Sequence, residues 1–225
     1  VTTEDGVVQD YRLSDGIVHL ADMTGDGTAD WIVTGTDGID CFANTGRIGW
    51  ATRRRVAVQK FPPPAPYASP DGSVRSTDVD FDKKMDVIKS EDGAYSVWVN
   101  QNDGQFSDRI LTPGARFKGK FVHFANRGVQ LADMNGDRLA DVVEVTSHSV
   151  VFCPSMGFGQ FDECEEMSLP FTDPALEQEQ IDRAKVIDIN GDGLSDLVVE
   201  RFSGTNLRFW LHLPTGDFAR SRLIT

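Results

Sequence analysis

The chain has 225 residues, a formal net charge of −13 and 40% hydrophobic residues. Such a composition supports a buried core, and the acidic balance argues against nucleic acid, which selects basic faces. No apolar run of about 18 residues occurs, so no membrane span is read, and residues 1–15 show no basic-then-apolar leader of a signal peptide.

Val7–Leu13 reads as a strand ahead of the first full repeat. Ile17–Ala21 is apolar and β-branched, and it leads into Asp22-Met-Thr-Gly-Asp26-Gly-Thr-Ala-Asp30. A strand follows at Trp31–Val33, then a turn at Thr36–Gly38, a third strand through Cys41-Phe42, a glycine turn ending at Trp50, and a fourth strand at Arg54–Val58. Phe61-Pro-Pro-Pro-Ala-Pro66 reads as a stiff connector with polyproline II character. The same order then returns three times. The second copy runs from Asp78-Val-Asp-Phe-Asp82-Lys-Lys-Met-Asp86 through Glu91–Gly93, Val97–Val99 and Gly104–Phe106 to Asp108–Leu111. The third runs from Asp133-Met-Asn-Gly-Asp137-Arg-Leu-Ala-Asp141 through Val151-Phe152 and Gly159–Phe161 to Cys164–Met167. The fourth runs from Asp188-Ile-Asn-Gly-Asp192-Gly-Leu-Ser-Asp196 through Ser203-Gly204, Arg208–Trp210 and Gly216–Phe218 to Arg220–Ile224. Pro113–Arg127 and Pro170–Arg183 are long linking loops, the latter with a helical turn expected at Pro174–Gln180.

The first aspartates of the copies lie 56, 55 and 55 residues apart. Four strands per period of about 55 residues is the pattern of β-propeller blades. The expected fold is all-β: a single β-propeller domain over 1–225 built of four-stranded antiparallel blades, near 16–60, 73–112, 128–169 and 183–225. Residues 1–15 would supply a strand from a preceding blade. Four consecutive blades of a larger ring and a closed ring of four are both compatible with this reading. The repeated aromatics read as core between blades.

Oxygen side chains fall at offsets 0, 2, 4 and 8 of every acidic loop, which suits a hard cation such as calcium, bound by six to eight oxygens. The candidate ligands are Asp22, Thr24, Asp26, Thr28 and Asp30; Asp78, Asp80, Asp82, Lys84 and Asp86; Asp133, Asn135, Asp137, Leu139 and Asp141; and Asp188, Asn190, Asp192, Leu194 and Asp196. At offset 6 (Thr28, Lys84, Leu139 and Leu194) the backbone carbonyl is the expected donor. At offset 8 the carboxylate can bind through both oxygens. Gly27 and Gly193 suit a left-handed turn; Lys83 and Arg138 stand there in the other two copies, and Phe81 replaces an earlier glycine. The ligand pattern is therefore most complete at Asp22 and Asp188 and weakest at Asp78. Asx-type turns without an ion are the rival reading. Up to four calcium ions would bring the charge from −13 to −5 and relieve repulsion among the carboxylates.

His19, His123, His148 and His212 have no metal-site spacing, and no catalytic motif is present, so no enzyme activity is expected. Arg53–Arg55 with Lys60 reads as a solvated strand face. Cys41, Cys153 and Cys164 are odd in number. A bridge between Cys153 and Cys164 is compatible with their hairpin spacing, but three buried free thiols is the favoured expectation.

Leu131-Ala-Asp-Met-Asn-Gly-Asp137, Leu139–Val143 and Lys185–Val198 resemble FG-GAP or VCBS repeats, which build calcium-binding propellers in integrin α chains, some lectins and secreted bacterial proteins. Phe152-Cys-Pro-Ser-Met-Gly-Phe-Gly-Gln-Phe161, Met167, Asp173-Pro-Ala-Leu and Ile181–Arg183 resemble the propeller of the B component of bacterial insecticidal toxin complexes and SpvB/RHS-type virulence proteins. The resemblance implies a secreted, non-catalytic module that docks onto a pore-forming protein and gates a toxin-containing shell. The alternative it leaves is a lectin-like or integrin-like adhesion propeller, in which Trp50, Trp98 and Trp210 would have to be exposed to stack on sugars.

Overall fold

A computed structural model of the chain describes residues 18–34, 38–46, 49–57, 72–102, 105–200 and 207–224. The strand expected at Val7–Leu13, the proline connector and the turn at Ser203-Gly204 lie outside the described residues. The chain divides into two compact units, residues 1–91 with 95–112, and residues 92–94 with 113–225.

Four four-stranded antiparallel sheets carry the fold, each in simple up-and-down order. The first comprises β1 (Val18–Ala21), β2 (Asp30–Thr34), β3 (Gly38–Phe42) and β4 (Arg54–Ala57). The second comprises β5 (Val74–Thr77), β6 (Asp86–Glu91), β7 (Ala94–Trp98) and β8 (Ile110–Pro113). A two-stranded hairpin, β9 (Arg116–Phe117) with β10 (Lys120–Phe121), precedes the third sheet. That sheet comprises β11 (Val129–Ala132), β12 (Asp141–Val145), β13 (Ser149–Cys153) and β16 (Glu165–Ser168), with a second small hairpin, β14 (Ser155–Gly157) and β15 (Gln160–Phe161), at its corner. After the helix α1 (Gln178–Arg183) come β17 (Lys185–Ile187), β18 (Asp196–Glu200), β19 (Leu207–Trp210) and β20 (Arg222–Ile224). These are the four propeller blades read from the sequence.

Both faces of the middle strands are buried. Along β12, Asp141, Val142, Val143 and Val145 are all buried, so alternate side chains meet core on either side of the sheet. In the first unit Met23, Ile32, Ile39, Cys41, Val87, Trp98 and Phe106 form one cluster. In the second, Val143, Val145, Phe152, Ile181, Leu197, Trp210 and Phe218 belong to a larger one. Trp98 and Trp210 are fully buried, as the core reading of the repeated aromatics expects. Trp50 is partly buried and packs edge-on against Trp31, with ring centroids 5.9 Å apart.

Three details differ from the sequence reading. The helix begins later than the turn expected at Pro174–Gln180, because Leu176 is drawn into the core and the Glu177 N–H donates to Gln180 Oε1 only beyond it. Pro113–Arg127 is not a plain loop: Lys118 and Gly119 take left-handed backbone (φ 49° and 80°) and close the β9–β10 hairpin. Cys153 and Cys164 form a disulfide, against the expectation of free thiols, because Phe152 pairs with Glu165 and the next two residues therefore face each other across β13 and β16. Cys41 is a free, buried thiol, and burial pushes its pKa up to about 12. With a sequence separation of 11, the disulfide is expected to contribute about 3 kcal/mol through loop-closure entropy. Urea unfolding of a Cys153→Ser/Cys164→Ser variant measures this, and a midpoint equal to wild type would show that the staple adds nothing.

Asp173 anchors the loop before α1. Its carboxylate accepts Trp210 Nε1–H at 2.8 Å, the Ser221 N–H at 3.0 Å and the Ser221 hydroxyl at 2.9 Å. Burial opposes ionisation there, but these donors, with Arg208 nearby, hold the pKa below the usual value. Asp173→Ala is expected to cost about 2 kcal/mol of stability near neutral pH. A depressed folded pKa means that this contribution is present above the unfolded value and lost as pH falls through the folded one. The gap between wild type and variant, measured by denaturant titration, should therefore close below about pH 4.

Candidate functional site

Each acidic loop caps the first hairpin of its sheet, not a helix pair. The strand pairs Ala21↔Asp30, Thr77↔Asp86, Ala132↔Asp141 and Ile187↔Asp196 close the four loops, so the last aspartate of each is also the first residue of the second strand. The backbone is left-handed at offsets 3 and 5 in every copy. Glycine serves there at Gly25, Gly27, Gly136, Gly191 and Gly193, while Phe81 (φ 67°), Lys83 (φ 69°) and Arg138 (φ 73°) adopt it without glycine, each at a cost of roughly 1–2 kcal/mol.

Inside each loop the first aspartate turns toward backbone N–H groups. Asp22 Oδ1 accepts Gly25 N–H at 2.7 Å and Oδ2 accepts Gly27 N–H at 2.8 Å. Lys83 N–H to Asp78 (2.9 Å), Arg138 N–H to Asp133 (2.8 Å) and Gly193 N–H to Asp188 (2.9 Å) repeat the contact. The offset-4 aspartates accept from the residue two beyond: Thr28, Lys84, Leu139 and Leu194. Asn135 and Asn190 accept from Asp137 and Asp192. The Thr24 hydroxyl lies 3.5 Å from Asp22 Oδ1.

The closing aspartates do something the sequence reading did not assign to them. Asp30, Asp86, Asp141 and Asp196 are fully buried, and each carboxylate bridges two strands. One oxygen accepts the N–H of loop residue Met23, Val79, Met134 or Ile189. The other accepts the N–H of Asn44, Asn100, Ser155 or His212, just beyond the third strand. Those four residues lie 14, 14, 14 and 16 positions after the aspartate and share no single residue type. Burial raises all four carboxyl pKa values, Asp86 to about 7 and Asp141 to about 6.

Neighbouring loops are tied together within each unit. The Met85 N–H donates to the Asp22 carbonyl at 2.7 Å, and the Ser195 N–H to the Asp133 carbonyl at 3.1 Å. Asn100 Nδ2 reaches the Met23 carbonyl at 3.0 Å. The offset-6 side chain lies over the preceding loop: a Cβ on Gly25 would sit 3.0 Å from Lys84 Cγ, and one on Gly136 would sit 3.4 Å from Leu194 Cδ2.

Asp78, Asp80 and Asp86 bring carboxylate oxygens within 4.8 Å of one another, close enough for one metal ion to reach all three. Among the described residues this is the group that meets that test, although copy two is the weakest by pattern. The reason is Asp80, a carboxylate where the other copies have Thr24, Asn135 and Asn190. Copy two also holds a cation of its own, because Lys84 Nζ is ion-paired with Asp82.

The fold and its repeated acidic corner define a four-bladed β-propeller with an acidic loop on the first hairpin of each blade. Residues 78–144 match the model of the FG-GAP-like repeat. No curated protein sequence matches it. Among solved structures, the Photorhabdus luminescens Tc holotoxin pore shares the fold at a TM-score of 0.69 and 21% identity, over 97% of this chain and 10% of that one. An Agrocybe aegerita lectin that recognises non-reducing terminal N-acetylglucosamine shares it at 0.62 and 20% identity, over 92% of this chain and 51% of the lectin. The chain thus spans about a tenth of the toxin chain and about half of the lectin. No helix among the described residues is long and apolar enough to cross a membrane.

Proposed function

We propose that this chain is a non-catalytic, calcium-stabilised propeller that docks onto a protein partner, the pore-forming component of a secreted toxin assembly, and helps to gate it. The observation that carries the docking role is the β14–β15 hairpin of the second unit. Met156 is 65% exposed and Phe158 is 47% exposed at its tip, with Phe158 held in left-handed backbone (φ 50°) and the Cys153–Cys164 disulfide at its base. At the matching positions copy two has Gln101 and Asp103, and copy four has Leu213 and Thr215. A bulky residue in that backbone region is costly, and an exposed apolar tip gains when covered. The fold likeness to the holotoxin pore supports the choice of partner, and the disulfide supports an oxidising, extracellular setting.

Calcium fits the donor set, which is wholly oxygen. Asp78, Asp80 and Asp86 would hold it in copy two with Asp82 and the Lys84 carbonyl beside them; the equivalent residues from Asp22, Asp133 and Asp188 onward would hold it elsewhere. The ion would neutralise the loop carboxylates. The hydrogen bonds of the first and last aspartates leave further lone pairs on the same oxygens.

Docking is tested by measuring affinity for the pore-forming chain with wild type and with Met156→Asp/Phe158→Asp. Loss of binding at an unchanged melting temperature is expected, and undiminished binding would exclude this hairpin. A glycan-binding reading draws support from the lectin likeness and from Trp50, which is partly exposed. Burial of Trp98 and Trp210 removes two of its three stacking candidates. Glycan-array binding lost on Trp50→Ala would favour it over docking.

A further inference from the structure

One face of the fourth sheet is apolar and open. On β17 and β18, Val186 and Leu197 belong to the core of the second unit, while Ile187, between them in register, is 54% exposed. Val198 pairs with Phe209, and both are only partly buried. Ile189, in the adjoining acidic loop, is 42% exposed. The positions of Ile187, Ile189 and Val198 are core in the earlier sheets: Ala21, Met23 and Ile32 in the first, Ala132, Met134 and Val143 in the third. In each unit the next sheet covers them, with Val87 and Trp98 on the first set and Leu197 and Trp210 on the second. A sheet face meant for water alternates to polar side chains, and this one does not. Two further contacts of a packed pair are missing at the same place. The Met85 and Ser195 N–H groups donate to the Asp22 and Asp133 carbonyls, but among the described residues no backbone N–H reaches the Asp188 carbonyl. Lys84 and Leu194 lie over Gly25 and Gly136, whereas a Cβ on Gly191 would meet nothing within 4 Å.

We infer that this face is a docking surface for one further blade of the same acidic-loop repeat. That blade would bring an apolar first hairpin to Ile187, Ile189 and Val198, a backbone N–H to the Asp188 carbonyl and a side chain over Gly191. A repeat cannot bury its apolar face alone, and the packed pairs within each unit show what buries it. A second copy of this chain has no matching face to offer, because Val33, Val87, Val142 and Leu197 of its four sheets are already buried. The inference stands whether or not the β14–β15 hairpin docks and whether or not calcium binds.

The test supplies such a blade. A copy of residues 170–225, carrying Ile187→Gln and Ile189→Gln so that only the original pair reports, is fused after Thr225 of the full chain. Relaxation of isoleucine methyl groups by a soluble paramagnet is then read in the parent and in the extended protein. Ile187 and Ile189 are expected to relax readily in the parent, which should sediment as a monomer, and to lose that relaxation in the extended protein. The same two substitutions made in the original blade should leave the melting temperature of the parent within about 2 °C, as at an exposed surface, and lower that of the extended protein by more. Undiminished relaxation in the extended protein would overturn the assignment. So would a dimeric parent with both methyl groups already shielded, because the occupant would then be a second copy.

Discussion

Chelation is expected to lower the melting temperature by roughly 10–20 °C. A ligand held at a hundred times its dissociation constant stabilises the folded state by about 2.7 kcal/mol per site. Two such sites, at the corners beginning with Asp22 and Asp188, would together contribute about 5 kcal/mol, comparable with the whole stability of a small domain. Calorimetry in calcium and in chelator reads the difference, with metal content followed by mass spectrometry. An identical melt on protein shown to be metal-free would leave the Asx-turn reading in possession. The pH dependence sharpens the test. Without an ion, burial holds Asp86 at about 7 and Asp141 at about 6, both above their ordinary value of 3.8. A folded pKa above the unfolded one favours the fold when the group is protonated, so that contribution is full below the unfolded value and is lost as pH rises through the folded one. In chelator, lowering the pH from 8 to 6 should therefore raise the melting temperature. In calcium the same change should lower it, since protons and the cation compete for the same oxygens.

Asp141→Ala is expected to destabilise the protein by about 4 kcal/mol in chelator, and by more in calcium, where a ligand of the ion is lost as well. Two buried donors, the Met134 and Ser155 N–H groups, lose their acceptor, and each orphaned group costs about 1–3 kcal/mol. Asp141→Asn retains one acceptor and should cost about half as much. Asp137→Ala removes a carboxylate of the same loop from an exposed position and should cost less than about 1 kcal/mol once metal is absent. Equal losses for Asp141→Ala and Asp137→Ala in chelator, read by urea titration, would mean that the buried carboxylate does not lock the corner.

The blades were legible because period 2 within strands and a period of about 55 between copies agree, and because Asp, Asn and Gly recur in phase. Left-handed backbone at Lys83 and Arg138 was legible from the glycines at Gly27 and Gly193. The double duty of the closing aspartates was not. A side chain at the first position of a strand reads as a ligand or as a turn residue, and its burial depends on a partner 14 residues away. The Asn44, Asn100, Ser155 and His212 positions share a backbone role and no side-chain chemistry, so no residue-type pattern marks them. Asp173 was equally hidden, because its three donors come from residues 37 and 48 positions on. The Lys118-Gly119 turn, flanked by Phe117 and Phe121, did carry a hairpin signal within what read as a linker.

The corner holds its own shape through bonds from carboxylates to backbone, in copies with glycine and in copies without it. Shape and ion are therefore separable traits. A copy that drifts from the ligand pattern need not collapse, and it can take up a substitute charge, as Lys84 does beside Asp82. Four homologous corners give the chain spare parts: one can specialise or fall silent while its siblings preserve the scaffold, and a lineage can explore new surfaces at one blade without risking the other three.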